Sequence, residues 1–193
     1  AVERVRRAGI LRLGHVAGVE HRLADFNRRG RLVVAVEVAD EHDRQAAGEE
    51  LRSHTQMKSF YESRNFAPVW TKDGKNTSNA RELVNTIDSI YLEGLRPEFY
   101  HRGKIEELSG KPENSAELDL LFTDAYFMLT SHLSNGLIDV KSMKPVWFST
   151  PEGVDPSWLL SEVAEGRSSV RKSLDQLKPK SVRYLMLRDL LQK

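Results

Sequence analysis

Apolar residues recur at intervals of three and four positions from residue 50 onward, which is the spacing of one face of an α-helix. This spacing predicts a first helix from about Glu50 to Arg64. Its apolar face is formed by Leu51, Met57 and either Phe60 or Tyr61.

Two further helices are bounded by residues that favour helix ends. Thr77 or Ser78 suits a helix start, because a hydroxyl oxygen there accepts a free backbone N–H. Gly94 suits the left-handed position after the helix end. The apolar face of this second helix carries Leu83, Ile87, Ile90 and Tyr91. Pro97 then favours the start of a short helix that stops at Gly110.

The segment from 115 to 135, SAELDLLFTDAYFMLTSHLSN, is predicted to be the longest helix, and Gly136 ends it. One stripe of this helix is formed by Leu118, Leu121, Phe122, Ala125, Leu129 and Leu133. Further apolar residues widen the stripe: Leu120, Phe127 and Met128. Because a helix that is apolar on so many sides must be covered all round, we expect it at the centre of the fold.

Three short helices are predicted after an irregular connection over residues 137 to 156. Their starts are placed at Asp155 or Ser157, at Ser168 or Ser169, and after Pro179. No Asn-Gly hairpin, alternating strand pattern or fixed-period repeat is recognised after residue 50. The predicted fold is therefore all-α, a single compact bundle of about seven short to medium helices with a poorly packed N-terminal arm.

The first 49 residues differ in composition from the rest. Residues 1 to 47 contain nine Arg and no Lys, whereas residues 48 to 193 contain nine Arg and eleven Lys, so a seam is expected near Gly48. The run RLVVAVEVAD could form one strand, but no second strand is recognised to pair with it. We interpret residues 1–49 as an Arg-rich arm, either a non-native extension or disordered, and residues 50–193 as the helical domain. Binding of phosphate or membrane by the arm is the alternative.

The overall composition narrows the function classes. The 193 residues carry a formal charge of +1, so no global field attracts nucleic acid, and no nucleic-acid partner is predicted. The absence of cysteine excludes disulfides, thiolate metal sites and a cysteine nucleophile in this sequence. No run of apolar residues is long enough to cross a bilayer. The first residues, AVERVRRAGILRLGH, lack the apolar core of a secretory signal, so an export signal is not expected in this chain.

The polar residues do not form a recognisable catalytic or metal motif. None of the six histidines forms an HxxxH or HExxH pair, and no cofactor is predicted. Ser131 and His132 are adjacent on a helix, so their side chains point about 100° apart and cannot form a dyad. Asp119 and Asp124 are expected on different faces of the same helix, with Asp124 bound to a neighbouring helix end or an arginine.

Residues 60 to 70, FYESRNFAPVW, concentrate rings in a chain that has only 8% aromatic residues. The first helix is expected to stop near Asn65, and Pro68 forces Ala67 into an extended conformation. The following residues then fold back as a hydrophobic clasp, in which Arg64 is expected to form a salt bridge. The predicted clasp consists of Phe60, Tyr61, Arg64, Phe66, Pro68 and Trp70.

Four motifs occur together from about residue 57 to the end of the chain. They are FYxxRxxxPxW, LEGLRPEFYH, LDLLFTDAYFMLTSHLSNGLID, and WLLSEVAEG followed by SLDQLKPKSVRYLMLRDLL. In this order they resemble the scaffold domain of large bacterial L,D-transpeptidases. The resemblance implies an exported, periplasmic or cell-envelope protein that cross-links peptidoglycan through a cysteine in a separate catalytic domain. The family's catalytic motif is SHGCxR, and TSHLSNG lacks its Gly and Cys, so no catalytic role passes to this chain.

Three functions remain open at this point. The first is a non-catalytic scaffold domain that braces downstream domains of a parent transpeptidase, with Trp147, Phe148 and Trp158 as candidate contacts. The second is a stand-alone module that binds murein glycan by stacking its Trp side chains on sugar rings. The third is a cytoplasmic helical adaptor that docks through its Arg-rich arm. The expected partners are therefore downstream domains, with peptidoglycan as a further candidate.

Overall fold

A computed structural model describes residues 24–26, 32–34, 45–137 and 155–191. It contains seven α-helices in this part of the chain, which confirms the predicted all-α bundle. The helices are α1 His54–Ser63, α2 Ser78–Asp88, α3 Arg102–Leu108, α4 Ser115–Asn135, α5 Pro156–Ala164, α6 Val170–Asp175 and α7 Val182–Leu191. Three 3₁₀ turns lie between them, at Ile90–Glu93, Pro97–Tyr100 and Pro112–Asn114. None of the helices described is long and apolar enough to cross a membrane.

The helix α4 is the centre of the bundle, as its sequence predicts. Almost every residue from Ser115 to Thr130 is buried, on all sides of the helix. Helices α1, α2, α3, α5 and α6 pack around it, whereas α7 makes its main contacts with the turn Ile90–Glu93. Because one helix contacts nearly all the others, its polar residues are positioned to join distant parts of the chain.

The predicted capping residues are found at three helix starts. The Thr77 hydroxyl accepts the Ala80 N–H at 3.3 Å, and the Asp155 carboxylate accepts the Ser157 N–H at 2.9 Å. Ser169 likewise caps α6 through its side-chain oxygen. These bonds satisfy backbone donors that a helix start leaves free.

Tyr91 differs from its predicted position on the apolar face of the second helix. The α-helix ends at Asp88, and the turn Ile90–Glu93 continues the chain with three residues per turn. This change of period rotates the following side chains relative to the helix. Ile90 remains buried, but Tyr91 is 58% exposed.

Three short antiparallel hairpins correct the sequence-based prediction of strands. The run at Leu32–Val34 (β2) is not a lone strand, because it pairs with Ala24–Phe26 (β1). Only an Asn-Gly hairpin was excluded after residue 50, and the sequence analysis missed the pairing of Thr71–Lys72 (β5) with Lys75–Asn76 (β6). The turn between β5 and β6 is Asp-Gly, with φ of 51° and 72°, which is the backbone that a two-residue hairpin turn requires.

The remaining hairpin spans the predicted boundary between the arm and the helical domain. It pairs Gln45–Ala46 (β3) with Glu49–Glu50 (β4), and its turn places Gly48 at φ 82°. The first helix therefore begins at His54 rather than near Glu50. Ala46 is fully buried in the same core as the helices, so the packed body includes residues on both sides of Gly48. The origin assigned to residues 1–49 remains a prediction.

Candidate functional site

The buried carboxylate of Asp119, on α4, holds the segment that follows the predicted clasp helix. It accepts hydrogen bonds from the backbone N–H groups of Val69, Trp70 and Thr71 at 3.1, 2.9 and 2.8 Å. It also accepts the hydroxyls of Thr71 at 2.9 Å and Tyr61 at 2.7 Å. Both oxygens are therefore occupied by donors, and the chain after Pro68 is fixed to α4.

The rings of the clasp pack on the same side of α4. Trp70 is fully buried, and its indole N–H donates to the Thr123 hydroxyl at 2.9 Å. Its ring lies 5.9 Å from that of Phe122 and 5.8 Å from that of Tyr126. These contacts bury the largest aromatic side chain without leaving its polar nitrogen unpaired.

Arg64 does not form the salt bridge predicted for it within the described residues. Its guanidinium instead lies over the Phe60 ring, 5.4 Å from the centroid. Asn65 and Phe66 then take positive φ values of 51° and 58°, which turn the chain out of α1. Phe66 and Pro68 are partly buried, so the outer layer of the clasp remains in contact with solvent.

The buried groups around Asp119 have shifted protonation equilibria. Burial raises the pKa of Asp119, and the hydrogen bonds from Tyr61, Val69, Trp70 and Thr71 oppose that rise. Burial also raises the pKa of the Tyr61 hydroxyl, and the charge of Asp119 adds to this effect. The Asp119 carboxylate is buried away from solvent, and both of its oxygens already accept hydrogen bonds. It therefore has no free lone pair for a substrate. We therefore assign Asp119 a structural role.

A second buried carboxylate, Asp124, binds two more parts of the chain. It accepts the Ser53 N–H at 2.6 Å and the Arg52 N–H at 3.2 Å, just before α1, so it binds a helix end as its sequence position indicates. Its other contact is the His101 Nε2 at 2.8 Å. The opposite nitrogen of His101, Nδ1, lies 3.3 Å from a Glu49 carboxylate oxygen on β4.

His101 is a site residue that sequence reasoning missed. Its backbone has φ 55°, in the left-handed region, and its side chain is only 7% exposed. Burial lowers the pKa of His101, but the hydrogen bonds and charges of Asp124 and Glu49 outweigh burial, and the net pKa is raised. No spacing motif links residues 49, 101 and 124, so only the fold brings them together.

Ser131 and His132 do not form a catalytic pair. Ser131 is exposed, whereas the Nδ1 of the half-buried His132 lies 3.0 Å from the Tyr100 hydroxyl. Burial, together with the charge of Arg52, lowers the pKa of His132. Within residues 45–137 and 155–191, no group of three His, Asp or Glu side chains is placed to hold a metal ion.

The predicted aromatic contact surface is described only in part. Trp158 lies on α5 and is 55% exposed, so its ring is available to a partner. Trp147 and Phe148 lie outside the described residues.

Several of the exposed apolar side chains in the described part of the chain belong to α7, none of whose residues is buried. We call its outward side the α7 face, formed by Val182, Met186, Leu187 and Leu190, each between 63% and 72% exposed. The helix is held from its other side, where the Tyr184 hydroxyl donates to Glu93. Sequence reasoning predicted this helix but did not predict that its apolar residues would face solvent.

The comparison with known families agrees with the helical part of the chain. A family model described as "Scaffold domain" matches residues 55–191, from the start of α1 to the end of α7. No curated protein and no solved structure matches the chain. The match spans most of the chain and all seven described helices, and the chain therefore belongs to the Scaffold domain family.

Proposed function

We propose that this chain is the non-catalytic scaffold domain of a peptidoglycan-remodelling L,D-transpeptidase in the periplasm or cell envelope. In this role it braces or positions the downstream domains that cross-link the cell wall. The resemblance of the four sequence motifs to those enzymes supports the transpeptidase link. The observation that carries the bracing role is the α7 face, because an exposed apolar helix face of this kind is typical of a surface that binds another protein.

The energetics of the α7 face favour a partner. Burying a Leu or Met side chain contributes about 1.5–3 kcal/mol relative to leaving it in water. Four neighbouring apolar side chains on one short helix therefore offer a strong interaction for a complementary surface. The same helix contributes no buried residue to the core of its own domain, so binding a partner does not compete with folding.

The polar chemistry of the domain also supports a bracing role over catalysis. The sequence contains no cysteine, which is the nucleophile of L,D-transpeptidases. The buried acids Asp119 and Asp124 are each bound by backbone N–H groups of neighbouring segments. These acids hold the bundle together, so they are not available to activate a substrate.

A binding experiment tests the proposal directly. The chain is mixed with the catalytic domain of an L,D-transpeptidase, joined to its peptidoglycan-binding-like domain and produced separately, and association is measured by sedimentation velocity. We expect association, and we expect Met186→Glu to weaken it at least tenfold, because a charge in the centre of the α7 face must be desolvated on binding.

Gln56→Glu is the matched control, since it adds the same charge at an exposed position of α1. It should leave the association unchanged. If the wild-type chain does not associate with the other domains, or if both variants weaken association equally, the α7 face is not the bracing surface.

Exposure of Trp158 favours a second candidate, a module that binds murein glycan. An exposed indole offers a flat apolar face on which a sugar ring can stack. Retention of the chain on purified sacculi would then depend on this ring. Trp158→Ala should abolish retention, Trp158→Phe should keep part of it, and retention that is equal in all three proteins would exclude this role for Trp158.

A further inference from the structure

A cleft of about 660 Å³ lies between α2, the turn Ile90–Glu93, α6 and the inner side of α7. It is separate from the α7 face, which lies on the outer side of that helix. Four cationic side chains line the cleft, Arg171, Lys178, Lys180 and Arg188. Three carboxylates also line it, so the charges of the lining sum to +1.

Two of the carboxylates in the cleft form ion pairs with the same lysine. Lys178 Nζ lies 2.8 Å from a Glu93 oxygen and 2.6 Å from an Asp175 oxygen. The other Glu93 oxygen accepts the Tyr184 hydroxyl. Lys178 is therefore fully engaged with Glu93 and Asp175, and it has little charge left for a ligand.

The third carboxylate, Glu82, is bound to the backbone. Its oxygens accept the N–H groups of Val170 and Arg171, at 3.1 and 3.2 Å, where α6 begins. The acids of the cleft thus each have a partner within the protein. The four cationic side chains still outnumber the three carboxylates, which leaves a net charge of +1 in the lining.

Arg188 and Lys180 are the least engaged of the cationic side chains in the cleft. The Arg188 Nε is buried and has no hydrogen-bond partner in the described residues, and the only ion pair of Arg188 there is a 3.5 Å contact with Asp189, whose side chain is 66% exposed. The Arg188 side chain as a whole is 32% exposed, and it lines the cleft. Lys180, also exposed, has no ion pair within the same part of the chain.

We propose that this cleft binds a monocarboxylate with a small aliphatic group, such as the C-terminal end of a short peptide. Arg188 is the main anchor, because a guanidinium fork matches the two oxygens of a carboxylate, and Lys180 is the second. Leu185 and Pro179 provide an apolar wall for the aliphatic group. Three carboxylates in the lining disfavour a doubly charged phosphate. The proposal is independent of the scaffold role.

The test uses the whole chain and three probes. N-acetyl-Ala-Ala with a free carboxylate, the same dipeptide as its C-terminal amide, and inorganic phosphate are titrated while backbone amide shifts are followed by NMR. We expect saturable shifts around residues 179 to 188 with the free acid, and binding at least tenfold weaker with the amide and with phosphate. The affinity for the acid should fall with added salt.

Arg188→Gln should weaken binding of the acid about tenfold or more. Arg183→Gln is the matched control, because it removes the same charge from an exposed position of the same helix that does not line the cleft. Equal affinities for acid, amide and phosphate, or equal losses in the two variants, would overturn the proposal. If circular dichroism shows that Arg188→Gln is unfolded, Lys180→Gln decides: a loss of about threefold or more is expected, and no loss overturns the proposal.

Discussion

At the scale of single residues, two acids five positions apart on α4 hold separate segments of the chain. Asp119 binds the backbone of Val69, Trp70 and Thr71, and Asp124 binds the backbone before α1 together with His101. Neither acid depends on a lysine or arginine side chain for these contacts. Their contribution to stability therefore comes from directed hydrogen bonds in a dry environment, where an unmade bond is costly.

Asp119→Asn should destabilise the domain by about 3 kcal/mol, since bonds to a charged acceptor contribute about 1.5–3 kcal/mol and unpaired buried donors cost a similar amount. The amide NH₂ of asparagine would face donors that the carboxylate accepts. Denaturation in urea measures the change in unfolding free energy. Glu113→Gln, at an exposed position, is the control and should change stability by less than about 0.5 kcal/mol.

The raised pKa of His101 makes stability depend on pH. The folded protein holds this proton more tightly than the unfolded chain, so the stabilisation is complete below the ordinary pKa of 6.5 and is lost as pH rises through the folded value. In His101→Asn the new residue also tolerates a positive φ. The variant should therefore lack the loss of unfolding free energy that His101 causes as pH rises.

Unfolding free energies of both proteins between pH 5.5 and 8.5 check this effect. His132, whose pKa burial lowers, contributes in the opposite direction in both proteins, so it cancels in the difference. A difference between wild type and variant that does not change with pH would contradict a protonated His101 bridging Asp124 and Glu49.

At the scale of elements, the helices could be predicted from local sequence features, whereas the hairpins were not predicted. The bounds of α4 were predicted from its long apolar run and from Gly136. The hairpin at Asp73-Gly74 was missed because only Asn-Gly was sought, although Asp-Gly supports the same turn. Its two-residue strands are also too short to show an alternating pattern. The bridge from Glu49 through His101 to Asp124 joins residues far apart in sequence, which local periodicity cannot detect.

Alanine substitutions at two hairpin glycines distinguish the cost of backbone strain from the cost of steric crowding. Gly48 has φ 82° and open space around it, so Gly48→Ala should cost about 1 kcal/mol for the left-handed backbone alone. Gly74 has φ 72°, and an added Cβ would lie 2.7 Å from the Pro112 Cβ. Gly74→Ala should therefore cost at least about 1 kcal/mol more, the typical penalty for overpacking. Equal losses in urea denaturation would show that the contact with Pro112 relaxes freely.

At the scale of the whole molecule, the chain separates a core built around α4 from a helix that adds nothing to that core. Apolar spacing predicted α7 as a helix, but spacing alone does not show whether the apolar side meets the same domain or another molecule. The candidate contacts Trp147 and Phe148 were chosen for their rings, whereas the exposed apolar side chains of α7 are aliphatic.

Substitutions of one leucine in the core and one on the α7 face test whether α7 lies outside the core. Leu129→Ala, in the centre of α4, should destabilise the domain by about 2–5 kcal/mol, because it leaves a cavity in a packed core. Leu190→Ala, on the α7 face, should change the unfolding free energy by less than about 0.5 kcal/mol. Thermal and urea denaturation of the two variants provide the comparison. A large loss for Leu190→Ala would mean that α7 is part of the core.

The spacing of the two acids on α4 also has a consequence for motion. Asp124 holds the chain at Arg52 and Ser53, and Asp119 holds it at Val69 to Thr71, from points about 7.5 Å apart along one helix. The intervening residues, which include all of α1, are thus hydrogen-bonded at both ends to the same helix, α4. This segment should open as one cooperative unit, so the amide hydrogens at its two ends would exchange with solvent at closely similar rates.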